Sequence, residues 1–443
     1  MVTILLLLCR LLLRIFFRQV EIVGHEHVPA RGKVMFALNH PNGLIDPLFI
    51  LCHAGRRVSF LAKAPLFSMP VVGYFVRAFG CLPVYRKQDN LDPAQNRAML
   101  ERAVELLNGG NALALFPEGT SHSDPQLKPF RSGAARIALS AAAISGDVVK
   151  VVPVGLYYST KQVFRSNALL LFGEPIDVTL AERDGHVEPA REQVQALTER
   201  LSQRVAELTL EAQSIDEVYL AKVAARVVVA ANREQGLPVP KSMAEKLRFR
   251  QRLLLGHAKL EGSVDVARLV RRLRSYEANA RALGLRVDET FSYSSLGVLR
   301  YLLKNLGWLC ILLVPGTVGL ISNYLTYRLV GLIAFRYSKA AVDVQATGKV
   351  LGGLLLFPVS WGVWGLLALV SFGAWQGLCV VLAMPLCAYA ALLLVEVVTG
   401  IARRGNALWL SLTKSGFVRS MISERRSMRD ELLRLAQALD ERQ

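Results

Sequence analysis

The sequence predicts an α/β domain with a sheet flanked by helices, then a helical region, then a C-terminal α-helical membrane domain. Three observations carry this. Short β-type runs alternate with helical ones from Val20 to about Leu180, and charged helical spacing takes over from about Glu188 to Leu285. No Asp, Glu, Lys or Arg occurs from Val350 to Val395. Strands alternating with helices imply layered α/β architecture. One bilayer crossing needs about 20 apolar residues, so the uncharged stretch can hold two. A chain of 443 residues suggests about three structural units. Its 52% hydrophobic content is too apolar for an ordinary soluble protein.

At the N-terminus, Arg10, Arg14 and Arg18 recur every four residues among Leu, Ile and Phe. No basic region precedes the apolar one and no small-residue cleavage site follows, so a signal peptide is disfavoured. Residues 1–19 are expected to form an amphipathic helix lying in a membrane interface. Within residues 20–215, KVMFALNH, RRVSFLAK, CLPVYRK, NALALFPEGT and VVKVVPVGLYY read as strands, and Pro93–Leu107 and Gly133–Ile144 as helices. Several of these strands end in polar loops, where α/β folds place their chemistry. Val194, Leu197, Leu201, Val205 and Leu208 line one helix face. Residues 216–298 are expected to be a helical connector or cover, broken at Gly236-Leu-Pro-Val-Pro240 and helical again from Lys241.

Residues 299–400 are the expected membrane domain. Pro315-Gly316 interrupts an apolar run flanked by Arg300 and Lys304 on one side and Arg328, Arg336 and Lys339 on the other. Positive flanks at both ends favour a broken hairpin over 306–335 that enters and returns on one face. Spans over 350–373 and 376–398 would follow, turning near FGAWQG. The basic helical tail, 401–443, should rest at the cytoplasmic surface. A net charge of +18 suits an anionic lipid surface or nucleic acid. Neither zinc-finger spacing nor an RNP-like motif occurs, so nucleic acid is not an expected partner.

Two loops carry the chemistry. Asn39-His40-Pro-Asn-Gly43-Leu-Ile-Asp46-Pro47 follows a strand. An Asp reaching one imidazole nitrogen fixes the tautomer and leaves the other as a general base. Phe116-Pro-Glu118-Gly119-Thr120-Ser121 ends another strand and offers a carboxylate beside backbone N–H groups. Between them, Arg86 and Lys63 end strands with cations suited to a phosphate. A loop histidine, an ordinary turn and two solvated charges would be the bland account of each feature alone.

NHPNGLIDP, CLPVYR, FPEGTSH and VVPVGL together, in that order and spacing, resemble the glycerophospholipid acyltransferase superfamily, the PlsC-like group that includes 1-acylglycerol-3-phosphate acyltransferases. The resemblance covers roughly residues 20 to 215 and implies a mixed sheet flanked by helices. It implies His40 as general base, Asp46 as its orienter, Arg86 as a phosphate contact and Glu118-Gly119 with Thr120 as an acceptor-binding turn. Five residues separate His40 and Asp46, where the group commonly has four. That spacing, with Pro47, looks like the branch acylating glycerol-3-phosphate or dihydroxyacetone phosphate. Ser121-His122 replace the group's usual basic residue, so its role passes to Lys128 or Arg131.

The implied reaction moves a fatty acyl group from acyl-CoA or acyl carrier protein, as co-substrate, to a glycerol phosphate acceptor, with no cofactor and no metal. A lysophospholipid acceptor is the alternative, and a non-catalytic membrane-shaping protein the remote one. The lipid bilayer is the expected partner, with the active site facing the cytoplasm. His25 and His27 flank Glu26 in a loop, and His53, His186 and His257 have no partners at ligand spacing. The six cysteines form no C-x-x-C pair and read as buried small hydrophobes. Neither a G-x-S-x-G elbow nor a P-loop occurs.

Overall fold

The structure is a computed structural model that describes residues 2–86, 95–179, 189–260, 262–289, 295–338 and 342–440. Two compact units divide the chain, the first comprising Met1–Gln213 with Ser242–Leu247 and Ser338–Val350.

In the first unit, α1 (Val2–Phe16) leads into β1 (Phe17–Val23), followed by β2 (Val34–Leu38), α2 (Ile45–His53), β3 (Val58–Lys63), α3 (Val72–Ala78) and β4 (Leu82–Val84). Then come α4 (Asn96–Asn108), β5 (Ala112–Leu115), α5 (Gly133–Ser145), β6 (Val149–Tyr158), β7 (Ser166–Phe172), β8 (Ile176–Val178) and α6 (Arg191–Ala206). The sheet order is β1-β7-β6-β2-β5-β3-β4, with β8 beside β6. Most pairs are parallel, whereas β6 runs antiparallel to β7 and β8, so the sheet is mixed. The central strands VMFAL and ALAL are buried along their whole length, as strands covered on both faces must be. One face packs Phe36, Leu38, Val152 and Val154 against Leu13 and Phe49. The other packs Met35, Ala37, Leu113 and Val151 against Leu107, Ile137 and Leu201.

All five expected strands are present. Pro93, the start of one expected helix, lies outside the described residues. At the N-terminus the helix stops at Phe16 instead of 19, and Arg18 lies on β1. The reason is burial: Phe17 inserts between Phe49 and Tyr158, and β1 pairs with β7, an edge that helical periodicity does not register. Leu5, Cys9, Leu13 and Phe16 form the buried stripe of α1, and Ile4, Leu7, Leu8 and Leu11 remain exposed. The helix is therefore apolar on two faces.

The second unit comprises Ser214–Lys241, Arg248–Tyr337 and Leu351–Gln443. Its helices are α7 (Ile215–Glu234), α8 (Met243–Lys259, whose first turns belong to the first unit), α9 (Val264–Ala282), α10 (Ser295–Ser338), α11 (Val342–Phe372, begun in the first unit), α12 (Ala374–Thr413) and α13 (Ser415–Asp440). Ser214 caps α7, accepting from Glu217 N. Val227, Leu273, Tyr276 and Met428 form a core joining α7, α9 and α13. In that core the fully buried Arg425 donates to Tyr276, Glu234 and the Glu289 carbonyl, which satisfies a charge that would otherwise be costly to bury.

Among the described residues, three helices, α10, α11 and α12, are long and apolar enough to cross a membrane. The broken hairpin expected over 306–335 is instead one continuous helix with Pro315 inside it. Pro315-Gly316 serves packing rather than a turn. A Cβ at Gly316 would meet Leu394, and one at Gly319 would meet the backbone carbonyl of Cys387, so small residues let α10 and α12 approach closely. The turn expected near FGAWQG falls at Gly373, whose φ is +106°, and α12 continues past 398 to Thr413.

Candidate active site

His40 stands two residues beyond the end of β2, on a loop pinned to β6 by Asn39. The Asn39 side chain donates to the Leu156 carbonyl at 3.0 Å and accepts from Leu156 N at 2.7 Å. Gly43 carries a positive φ of +36° as the loop turns into α2. That turn places Asp46 in the first turn of α2, where its carboxylate also faces the favourable end of the helix dipole.

Asp46 is fully buried, and its two oxygens are shared among three donors. Oδ2 lies 2.8 Å from His40 Nδ1 and accepts from Asn42 N at 2.7 Å. Oδ1 accepts from the Tyr158 hydroxyl at 2.5 Å. Burial, followed by the negative charge of Asp46, pushes the Tyr158 phenol well above its usual value. Tyr158 is thus a permanent donor at working pH. A carboxylate held by Asn42 N and Tyr158 keeps the proton of His40 on Nδ1 and leaves Nε2 as the basic nitrogen. The imidazole stacks on Phe116 with centroids 3.8 Å apart, and Phe116 stacks in turn on Phe60. These rings set the imidazole plane while its side chain keeps 16% exposure.

Glu118 is tied into the protein. Its side chain is fully buried and accepts from His40 N and Lys128 N, each at 2.8 Å, and it pairs with His122 Nε2. His122 N donates to the His40 carbonyl at 3.1 Å. The carboxylate expected to meet the acceptor therefore braces the two motif loops against each other. The motif marks the residue but not its partner His40, which lies 78 residues away on another loop.

Arg86 Nη1 donates to the Gly119 carbonyl at 2.9 Å. Gly119 has φ +74°, and a Cβ there would fall 2.6 Å from Arg131 Nε. Two guanidinium groups thus gather about one glycine, which leaves no room for a side chain. Beside them lies a cleft of about 630 Å³, lined by Arg86, Arg131 and Arg136 and by Ser132 and Gly133 at the start of α5. Three guanidinium groups and a helix N-terminus make this an anion-binding environment. Lys63 is exposed at the end of β3, paired in register with Val84 of the strand that leads to Arg86. Lys128 forms an ion pair with Asp124. Thr120 is half-buried, its hydroxyl donating to the Ser121 carbonyl.

Tyr158, Asn42, Phe116 and Arg136 were not singled out in the sequence. Tyr158 ends the VVPVGLYY strand beside a second tyrosine, and only the sheet order shows which of the two faces Asp46. His186 lies outside the described residues.

Comparison with known proteins adds to this geometry. An acyltransferase family model matches residues 19–157, and a model described as the glycerol-3-phosphate acyltransferase 2 C-terminal domain matches residues 224–441. Glycerol-3-phosphate O-acyltransferase 1 of Saccharomyces cerevisiae is 22% identical over 525 residues, spanning 94% of this chain and 68% of its own. Glycerol-3-phosphate O-acyltransferase 2 of the same yeast is 23% identical over 483 residues, spanning 82% and 64%. A 1-acyl-sn-glycerol-3-phosphate acyltransferase of Bacillus subtilis is 28% identical over 193 residues, spanning 43% of this chain and 87% of its own. The chain thus spans about two thirds of the length of the two yeast relatives.

Proposed function

We infer that the chain is an O-acyltransferase of the glycerophospholipid acyltransferase superfamily and that it acylates glycerol-3-phosphate or dihydroxyacetone phosphate with a fatty acyl thioester. The observation that carries the choice of acceptor is the extent of the matches. The yeast glycerol-3-phosphate enzyme aligns across 94% of the chain, and the C-terminal model covers the helical and membrane regions. The Bacillus lysophosphatidate enzyme aligns with 43% of it.

In this reading the acceptor phosphate sits among Arg86 and Arg131, with Lys63 at the rim, and its hydroxyl rests near His40 Nε2. Nε2 takes the hydroxyl proton as the oxygen attacks the thioester carbonyl. The tetrahedral intermediate collapses by breaking the C–S bond, and the imidazolium returns the proton to the departing thiolate. A thioester is already activated, so no covalent enzyme intermediate is needed. General-base catalysis of this kind contributes about 10²–10⁴-fold, and holding both substrates in place supplies much of the rest. Asp46 stabilises the imidazolium, and Glu118 and Thr120 shape the loop behind the acceptor. The exposed apolar face of α1 and the three long apolar helices support action at a bilayer.

The test is purified full-length protein in lipid nanodiscs, supplied with labelled acyl-CoA and a panel of acceptors, with products read by mass. Monoacylated product from glycerol-3-phosphate or dihydroxyacetone phosphate is expected. Product formed from 1-acylglycerol-3-phosphate alone would replace this reading with the lysophospholipid one.

A further inference from the structure

The first unit includes a short segment from far along the chain, Ser338–Val350, and this segment touches the catalytic loop. Leu44 precedes the first residue of α2, between His40 and Asp46. Its N–H belongs to the start of a helix, where backbone donors have no partner within the helix itself. That donor is satisfied by the hydroxyl of Thr347, 303 residues away, at 3.1 Å. Ala346 is fully buried in the same core as Phe36, Ile45 and Phe49, with Val350 packed against it. One turn on, Lys349 Nζ donates to the Gln162 carbonyl at 2.6 Å. Gln162 lies in the loop between β6 and β7, whose Lys161 carbonyl accepts from the Asn42 side chain and whose Lys161 ammonium donates to the His122 carbonyl. Asn42 N is itself a donor to Asp46.

Thr347 and Lys349 therefore hold the two loops that enclose the His40–Asp46 pair, and both sit on the opening turns of α11. The remainder of that helix, from Val350 to Phe372, is by itself long enough to cross a bilayer. We propose that Thr347 is a positioning residue of the acyl transfer reaction: its hydroxyl fixes the backbone between His40 and Asp46, so a membrane helix completes the catalytic loop. Lys349 acts with it through the β6–β7 loop. The proposal rests on the acyltransferase reading of the site and adds to it that the loop needs a group supplied by the opening turns of α11.

The hydroxyl can be separated from packing by two substitutions in the full-length protein in nanodiscs. Thr347→Val keeps the volume and the methyl group and loses the acceptor oxygen, whereas Thr347→Ser keeps the oxygen and loses the methyl. Turnover is normalised to protein that elutes as a single species. Thr347→Val should lower kcat about five- to tenfold, the size expected for one lost hydrogen bond, with both KM values within about twofold of the wild type. Thr347→Ser should stay within about twofold throughout. The opposite ranking, Val active and Ser impaired, would make Thr347 a packing residue and overturn the proposal, as would wild-type kcat in both. If Thr347→Val does not accumulate, Lys349→Met decides: a fall in kcat at unchanged KM supports the clamp, and wild-type kcat removes it. Variant rates are read relative to wild type with whichever acceptor the wild type uses. A wrong acceptor assignment therefore shows in the wild-type assay and leaves this comparison intact.

Discussion

The neighbours of His40 are occupied in advance. Asp46 receives Asn42 N, His40 Nδ1 and the Tyr158 hydroxyl, so the imidazole meets a carboxylate that has no other conformation to adopt. His40→Ala should lower turnover by about 10²–10⁴-fold while the protein stays folded and membrane-bound, and wild-type-like turnover would remove the general-base assignment. Asp46→Asn should lose less, because the imidazole remains while its tautomer is no longer held. Tyr158→Phe strips one donor from a buried carboxylate, which should cost about 1–3 kcal/mol of stability at pH 7. The phenol also adds a pH dependence. Its folded value is raised, so its contribution to stability is complete below the unfolded value of about 10 and is lost as pH climbs toward the folded one. Thermal melts between pH 7 and 11 should show a shallower alkaline decline in Tyr158→Phe than in wild type, and parallel curves would count against the assignment. Arg86→Ala should raise the acceptor KM far more than the donor KM. A change confined to the donor would move Arg86 to the CoA phosphates, and Lys should substitute poorly if the contact is bidentate.

At the scale of elements, α10 shows how a proline-glycine pair is read differently by its neighbours. In water Pro315 would end a helix, since it removes a hydrogen bond and crowds the preceding turn. Beside α12 the same pair stays helical, and the glycines at 316 and 319 admit Leu394 and the Cys387 carbonyl. In a membrane-type bundle, backbone groups freed by proline find partners in adjacent helices, so the break is tolerated. Two substitutions distinguish a packing surface from a turn. Gly319→Leu should destabilise the solubilised protein by about 1–3 kcal/mol through overpacking, seen as faster thermal inactivation. Pro315→Ala should change it little, because the helix runs on through the ring. A large loss with Pro315→Ala would restore the hairpin reading.

For the whole molecule, sidedness follows from which segments pack together within each unit. Ser338–Val350, which holds the last residue of α10 and the opening turns of α11, is part of the acyltransferase unit. The α13 tail packs on α7 and α9 in the other. Among the described residues, no helix before Leu303 is long and apolar enough to cross a membrane. The entrance to α11 lies in the acyltransferase unit, so two crossings by α11 and α12 would return the chain to the face on which α11 begins. The basic residues Arg336, Lys349, Arg403 and Arg404, which flank the α11–α12 pair, are then expected in the cytoplasm. In a cysteine-free background, Gln376→Cys should react with an impermeant thiol reagent in intact cells. Arg404→Cys and Glu101→Cys should react only after permeabilisation. Labelling at Arg404 from outside would mean that the orientation or the two-span count is wrong, and labelling at Glu101 would place the acyltransferase body outside.

The layered α/β body, its five strands and the charge-free C-terminal stretch are legible from residue pattern alone, whereas the roles expected of His40, Asp46, Arg86 and Arg131 come from the family resemblance of the four motifs together. Alternation, helical spacing and uncharged length are local properties, and the H-x5-D motif closes within a single turn. Other features depend on partners far apart in the chain. Phe17 is strand because β7 lies beside it, and Pro315 is helical because α12 packs on its glycines. Glu118 braces a loop because His40 N and Lys128 N converge on it, and Asp46 is held by Tyr158 across 112 residues. The Leu44 N–H is satisfied by a hydroxyl at the entrance to a membrane helix. Each such contact satisfies a buried polar group or fills a packed surface, and which residue does so is decided by the fold that brings it there.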